Sequence, residues 1–237
     1  MSTLSIMIIS FCFLLNTLYA ENSGTWLNYT CSDYVYKIAH DNDGNLWCAT
    51  SGGVTKLDPE TGEKTVYTRA DGLSFNLVTS LAVDSAGNKW IATNTEGVNL
   101  LRADGTWESY NKKNSDIAED FVFSVAIDMD GAVWFGTALG VSVLKKDGSW
   151  ITFDTSNSDL ASDSIYYIAI DENDNKWIGT YNGGVSVLEN DGNWETYNKS
   201  NSGLSKNRVC AIAIDSEGNK WFAHEFDGIS VLKDDGT

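Results

Sequence analysis

Five Asx residues stand in equivalent places along the 237-residue chain: Asp33, Asn76, Asp120, Asp163 and Asn207, each eight residues ahead of the aspartate of a recurring turn. Carboxylates and amides gathered in a ring could exchange hydrogen bonds with sugar hydroxyls or hold a hydrated cation. Glu96, Tyr181, Asn182, Glu225 and Phe226 lie in segments that differ from copy to copy, where an asymmetric ligand site could be built. The plainer role for each Asx is to cap the strand that follows it. In an enzyme, Asp33, Asp120, Asp163 and Glu225 would be the acid-base candidates.

The chain has two histidines, and both depart from the repeat pattern. His40 stands where other copies have Val or Ile, and His224-Glu225 stands where others have Thr followed by a variable residue. If the first and last repeats are neighbours, a His/His/Glu metal or acid-base site is conceivable there, with packing as the commoner fate of such histidines. No Ser/His/Asp set and no phosphate-binding glycine loop is present. No catalytic residue and no metal ligand is therefore assigned.

The positioning elements follow from the turn. Asp215-Ser-Glu-Gly-Asn-Lys-Trp221 recurs as Asp41-Asn-Asp-Gly-Asn-Leu-Trp47, Asp84-Ser-Ala-Gly-Asn-Lys-Trp90, Asp128-Met-Asp-Gly-Ala-Val-Trp134 and Asp171-Glu-Asn-Asp-Asn-Lys-Trp177. The tryptophans are 43, 44, 43 and 44 residues apart, which marks one supersecondary unit repeated. Within a repeat, four short apolar runs are separated by Gly, Asn and Asp clusters. In the second they are Leu77 to Val83, Lys89 to Thr93, Gly97 to Leu101 and Trp107 to Tyr110, here called A, B, C and D. Four antiparallel strands per repeat predict an all-β chain, a β-propeller of four-stranded blades. The Asp-x-x-Gly-Asn turn looks faintly like a calcium loop but lacks the further carboxylates and the bidentate Glu, so hairpin chemistry accounts for it. No cofactor is required, and calcium is the single candidate.

Eight of the nine tryptophans begin a B strand or, as Trp107, Trp150 and Trp194, a D strand. Trp26, in Gly24-Thr-Trp-Leu-Asn-Tyr29, has D-strand sequence with no blade before it, and Lys233-Asp-Asp-Gly-Thr237 stops where such a strand would follow. The expectation is five blades, the last completed by the N-terminal strand, which would leave no open sheet edge. A fragment of a larger propeller cut at Thr237 is the alternative.

These repeats resemble the two-component-regulator propeller repeat, an apolar strand followed by Asp-x-x-Gly-x-x-Trp-Ile/Phe-Gly-Thr, a short loop and Gly-Gly-hydrophobic. Asp171-Glu-Asn-Asp-Asn-Lys-Trp-Ile-Gly-Thr-Tyr-Asn-Gly-Gly-Val-Ser-Val-Leu188 follows it closely, and the likeness extends over residues 21–237. The resemblance implies an extracytoplasmic sensing module of the kind found in hybrid histidine kinases that respond to polysaccharide breakdown products. Kinase and response-regulator sequences are not part of this chain.

Composition narrows the function further. A net charge of −17 with only 16 basic residues disfavours nucleic acid as a partner. Residues 1–20 carry no charge and run through Ile6 to Leu15 to Leu18-Tyr-Ala20, which reads as a secretory signal, with an uncleaved anchor as the alternative. Residues 21–237 form the propeller domain and contain no apolar run long enough to span a bilayer. Cys31, Cys48 and Cys210 allow one internal disulfide at most, and Cys48 occupies a position that is Ile or Phe elsewhere. The expectation is a secreted or periplasmic propeller that binds a small molecule or oligosaccharide without transforming it. The alternatives are a propeller enzyme of glycosidase or lyase type and a scaffold for another extracytoplasmic protein.

Overall fold

The computed structural model describes residues 33–234. Blade one contains β1 (Val35–His40), β2 (Leu46–Thr50), β3 (Gly53–Leu57) and β4 (Lys64–Tyr67). Blade two contains β5 (Val78–Val83), β6 (Lys89–Thr93), β7 (Val98–Leu101) and β8 (Trp107–Tyr110). Blade three contains β9 (Val122–Ile127), β10 (Val133–Thr137), β11 (Gly140–Leu144) and β12 (Trp150–Phe153). Blade four contains β13 (Ile165–Ile170), β14 (Lys176–Thr180), β15 (Val185–Leu188) and β16 (Trp194–Tyr197). Blade five contributes β17 (Val209–Ile214), β18 (Lys220–His224) and β19 (Ile229–Leu232). Each blade is an antiparallel meander, four-stranded in blades one to four and three-stranded among the described residues in blade five. The fold is a five-bladed β-propeller, as the repeats predict. The expected fourth strand of blade five, at Gly24 to Tyr29, and the signal at 1–20 lie outside the described residues.

The A-to-B turn shows why Asp and Trp recur six residues apart. Asp41 Oδ1 accepts the backbone N–H groups of Asp43 and Asn45 at 3.0 and 2.9 Å, while Oδ2 accepts the indole N–H of Trp47 at 2.8 Å. One carboxylate thus closes the hairpin and anchors the tryptophan that begins the packing face. The pair recurs as Asp84–Trp90, Asp128–Trp134, Asp171–Trp177 and Asp215–Trp221. The fourth turn position is a left-handed glycine in four blades. Blade four has Asp174 there at φ 64°. Its carboxylate pairs with Lys176 at 2.7 Å, with both side chains buried, and accepts the N–H of Met129 from blade three at 3.0 Å.

The core lies between blades. Trp47, Ala49 and Val54 of blade one pack on Val78, Leu81 and Ile91 of blade two, and the same layer joins blades two to three, three to four and four to five. In each of the first four blades the last residue of strand D stacks on the strand-B tryptophan. Ring centroids are 5.6 Å apart for Trp47–Tyr67, 5.7 Å for Trp90–Tyr110, and 6.0 Å for Trp134–Phe153 and Trp177–Tyr197. Lys89, Lys176 and Lys220 lay their ammonium groups over Trp47, Trp134 and Trp177 of the preceding blade, adding cation–π contacts across three of these junctions. Trp221 is only partly buried, unlike the other four, and Ile229 and Val231 of β19 are exposed.

The start of strand C is pinned to the next blade. Gly97 N–H donates to Asp120 O at 2.9 Å, and a Cβ at Gly97 would run into the carbonyl of Tyr110, so only glycine fits. The same arrangement ties Gly140 to Asp163 and Gly184 to Asn207. D-to-A and B-to-C loops therefore share one end of the ring, where the loop residues named above gather.

Candidate functional site

The Asx residues close their own loops. Asn76 Oδ1 accepts Arg69 N–H at 2.9 Å, Asp120 Oδ1 accepts Lys112 N–H at 2.8 Å, Asp163 Oδ1 accepts Thr155 N–H at 2.7 Å and Asn207 Oδ1 accepts Lys199 N–H at 2.8 Å. The side chain turns back to the start of the D-to-A loop and does not cap strand A, because that amide is the donor within reach. Asp33 packs beside Gly52. Glu96 and Asn182 are exposed on B-to-C loops.

Different positions make the mouth of the ring asymmetric. Strand A opens as Tyr34-Val-Tyr36, Leu77-Val-Thr79, Phe121-Val-Phe123, Ser164-Ile-Tyr166 and Arg208-Val-Cys210. In every blade the pairing register slips across the third of these residues. Such a bulge leaves that residue unpaired and re-aims its side chain, a device common beside functional sites. The central Val or Ile stays in the inter-blade core: Val78, Val122, Ile165 and Val209 are fully buried.

Blades three to five thereby assemble a connected aromatic and charged surface. Phe121 and Phe123 are 4.8 Å apart between centroids, Phe123 and Tyr166 are 5.2 Å apart, and Tyr166 and Tyr181 are 5.7 Å apart. Arg208 Nη2 donates to the Tyr166 hydroxyl at 2.9 Å, its guanidinium lies 4.6 Å from the Tyr181 ring centroid, and Nη1 pairs with Glu225. Burial works against the Arg208 charge, but Tyr166 and Glu225 outweigh it and hold the group more firmly protonated than usual. Burial pushes the neighbouring Cys210 thiol up. Tyr181 is 45% exposed, and Phe226, at φ 58° and 89% exposed, projects from the B-to-C loop of the same blade as Glu225.

Next to Tyr166, Tyr167 of blade four is reached by Lys37 of blade one. Blades one and four are not consecutive in the chain order, so this contact bridges strands that no hairpin joins. The Lys37 ammonium also lies 4.3 Å from the Tyr167 ring centroid. The Lys37–Tyr167 pair thus ties blade one to blade four at the residue next to Tyr166.

Tyr181 and Glu225 meet at Arg208, and Phe226 follows Glu225 in the same loop, whereas Asn76, Asp120, Asp163 and Asn207 each bond within their own loop. Phe121, Phe123, Tyr166 and Arg208 were missing from the sequence-derived set. Their signal was available: the first and third residues of strand A vary among copies while the Val or Ile between them does not. His40 and His224 lie at opposite ends of their blades, since His40 faces Leu46 beside the A-to-B turn and His224 faces Val209 beside the B-to-C loop. Among the described residues no His/His/Glu cluster forms. His224 is fully buried, with Nδ1 3.1 Å from Arg208 O and Nε2 2.9 Å from Ser230 Oγ.

Residues 31–52 match the family model described as two component regulator propeller. No curated protein matches the chain. Among solved structures, the extracellular domain assigned to a hybrid two component system of B. thetaiotaomicron is similar at 25% identity and a TM-score of 0.68, over 86% of this chain and 28% of that one. PorZ, a surface component of the type-IX secretion system of Porphyromonas gingivalis, is similar at 20% identity and a TM-score of 0.67, over 84% of this chain and 32% of that one. The chain therefore spans less than a third of the length of either. Virginiamycin B lyase from Staphylococcus aureus shares the fold at 15% identity and a TM-score of 0.69, over 86% of this chain and 68% of that one. The family resemblance drawn from the repeats is matched by both the family model and the extracellular domain of the hybrid two component system.

Proposed function

We propose that this propeller is an extracytoplasmic binding module, secreted or periplasmic, that holds a carbohydrate on the aromatic surface of blades three to five without transforming it. The observation that carries the reading is the aromatic run Phe121, Phe123, Tyr166 and Tyr181 ending at the Arg208–Glu225 pair. A sugar ring offers an apolar face of C–H groups that packs on an aromatic ring, and a rim of hydroxyls that needs directional donors and acceptors. Tyr181 and Phe226 supply exposed aromatic area, and Arg208, Glu225 and Asn182 supply the polar groups. The likeness to the extracellular domain assigned to a hybrid two component system supports the location.

The test is thermal melting and calorimetry against an oligosaccharide panel, with and without calcium, each sample being checked for product. A ligand that binds the folded state alone raises the melting temperature. Tyr181→Ala should remove that shift and leave the unliganded melt within a few degrees. An unshifted melt across the panel would argue for a protein partner. The fold likeness to a lyase makes catalysis the second reading, and product formation would bring it to the front.

A further inference from the structure

His224 stands where the other four blades have a threonine, and the exchange rewires the start of strand A in blade five. In blades one to four, the carbonyl of the first strand-A residue accepts the backbone N–H that follows strand B, at 2.9 to 3.3 Å; in blade four this is Tyr181 N–H on Ser164 O. The threonine hydroxyl donates to the glycine carbonyl ahead of strand C, as Thr180 does to Gly184 O at 3.0 Å. In blade five the strand-A carbonyl belongs to Arg208 and takes His224 Nδ1 at 3.1 Å, while the Glu225 N–H turns to Cys210.

A carbonyl oxygen only accepts, so Nδ1 carries the proton, and in the neutral ring Nε2 is the acceptor for the Ser230 hydroxyl at 2.9 Å. The Ser230 oxygen in turn accepts the Ser205 N–H of the D-to-A loop at 3.2 Å. One fully buried imidazole therefore joins strand A, strand C and that loop. Arg208 is thereby held at both ends. His224 holds its carbonyl, the next residue, Glu225, pairs with its guanidinium, and Nη2 donates to the Tyr166 hydroxyl at 2.9 Å. A long side chain ordered before a ligand arrives leaves less freedom to be lost on binding.

We propose that His224 is the positioning residue of this mouth: its Nδ1–H replaces a backbone donor at Arg208 O and so sets the guanidinium against Tyr166 and Tyr181. The effect on affinity rests on the reading of the mouth as a sugar site; the effect on Arg208 does not.

The experiment is His224→Thr, which restores the residue of the other blades. Gly228 O, which already accepts the His224 backbone N–H at 3.0 Å, is placed to take the threonine hydroxyl, and the Glu225 N–H can return to Arg208 O. The melting temperature should stay within a few degrees of wild type. With three arginines in the chain, the Arg208 Nε–H signal can be assigned by NMR, and it should lose the ring-current shift that Tyr166 and Tyr181 impose. Calorimetric titration with each panel oligosaccharide that binds wild type should show about tenfold weaker affinity, the scale of one charge-assisted hydrogen bond.

His224→Asn keeps an amide donor for Arg208 O and should hold the signal in place. Ser230→Ala removes the partner of Nε2 and should lower the melting temperature without moving the Arg208 signal. An unmoved signal in folded His224→Thr, or failure of that variant to fold, makes the imidazole a packing residue and overturns the proposal. Equal displacement in His224→Asn, or sugar affinity unaffected by a displaced Arg208, overturns it as well. A displaced signal in a chain that binds no sugar supports the positioning and removes the sugar reading instead.

Discussion

Asp171 Oδ2 accepts the indole N–H of Trp177 at 2.9 Å, while its Oδ1 accepts the backbone N–H groups of Asn173 and Asn175 at 3.0 and 2.9 Å. With the Asn175 side-chain amide, which donates to Oδ2 at 3.0 Å, a single carboxylate therefore serves four donors, and both Asp171 and Trp177 are buried. Asp171→Ala would leave those donors without a partner. The expected loss is about 2–4 kcal/mol, because an orphaned buried donor costs about 1–3 kcal/mol. Urea unfolding measures it, and a loss below about 0.5 kcal/mol would mean that the turn closes without its carboxylate.

The same bonds set an acid dependence. The Asp215 carboxyl is held down from the usual 3.8 to about 2 by the Trp221 indole, the Asn219 amide and backbone N–H groups. For Asp41 and Asp171, burial alone would raise the value, and the equivalent hydrogen bonds outweigh it and lower it. A carboxyl whose folded pKa is depressed adds stability above its unfolded value, and that stability is lost as pH falls through the folded value. Relief of repulsion among the acidic side chains acts in the opposite direction. Wild type should therefore exceed Asp171→Asn in melting temperature at neutral pH, and the gap should close on acidification below the usual 3.8. A gap that widens in acid would contradict the assignment.

Asp174→Gly separates strain from pairing. Glycine would relieve the left-handed backbone at φ 64°, a gain of about 1–2 kcal/mol. It would also strand the buried ammonium of Lys176, at about 3–5 kcal/mol. The net expectation is destabilisation by roughly 2 kcal/mol. The double change Asp174→Gly with Lys176→Val should recover most of it, as Val133 fills the Lys176 position in blade three.

Two phenols should titrate late. Burial and the nearby Glu108 push Tyr110 up to about 12, and burial with a 2.7 Å hydrogen bond to Glu195 does the same for Tyr197. Phenolate absorbance of the folded protein should show a fraction titrating near 12, and Tyr197→Phe should shrink it. A single wave near the usual 10 would remove the assignment.

The junction at β19 can be tested in the same way. Four strand-B tryptophans carry a strand-D aromatic at 5.6 to 6.0 Å, and the sequence expectation places Tyr29 in the equivalent position for Trp221. Tyr29→Ala should then cost as much stability as Tyr197→Ala and should increase quenching of Trp221 by iodide. Unchanged stability and quenching would mean that something other than Gly24 to Tyr29 lies along β19.

What was legible in the sequence was whatever the repeat forces to be identical. The six-residue spacing of Asp128 and Trp134 is a hydrogen bond, and the C-strand start Gly97 is a collision avoided, so both recur and both can be read. The candidate site was legible in part, because it is built from positions where the copies disagree. Tyr181 and Glu225 were reached by noticing variable loops, but Arg208, which joins them, sits at the end of a strand that otherwise repeats well. The Asx positions were legible for the opposite reason. Asn76, Asp120, Asp163 and Asn207 recur because each of their loops needs an acceptor for an amide at its start, and a requirement shared among blades does not by itself point to a ligand.

Asp174 bears on how such a ring diverges. A turn that borrows an amide from Met129 of the preceding blade no longer folds by its own sequence alone. Copies produced by duplication begin as exchangeable parts, and blade four has given up that freedom. Moved to another place in the ring, it would bring a charged turn without the neighbour that accommodates it. Shuffling or recombining these repeats should succeed with blades three and four kept together as one cassette, and should fail when a cut falls between them.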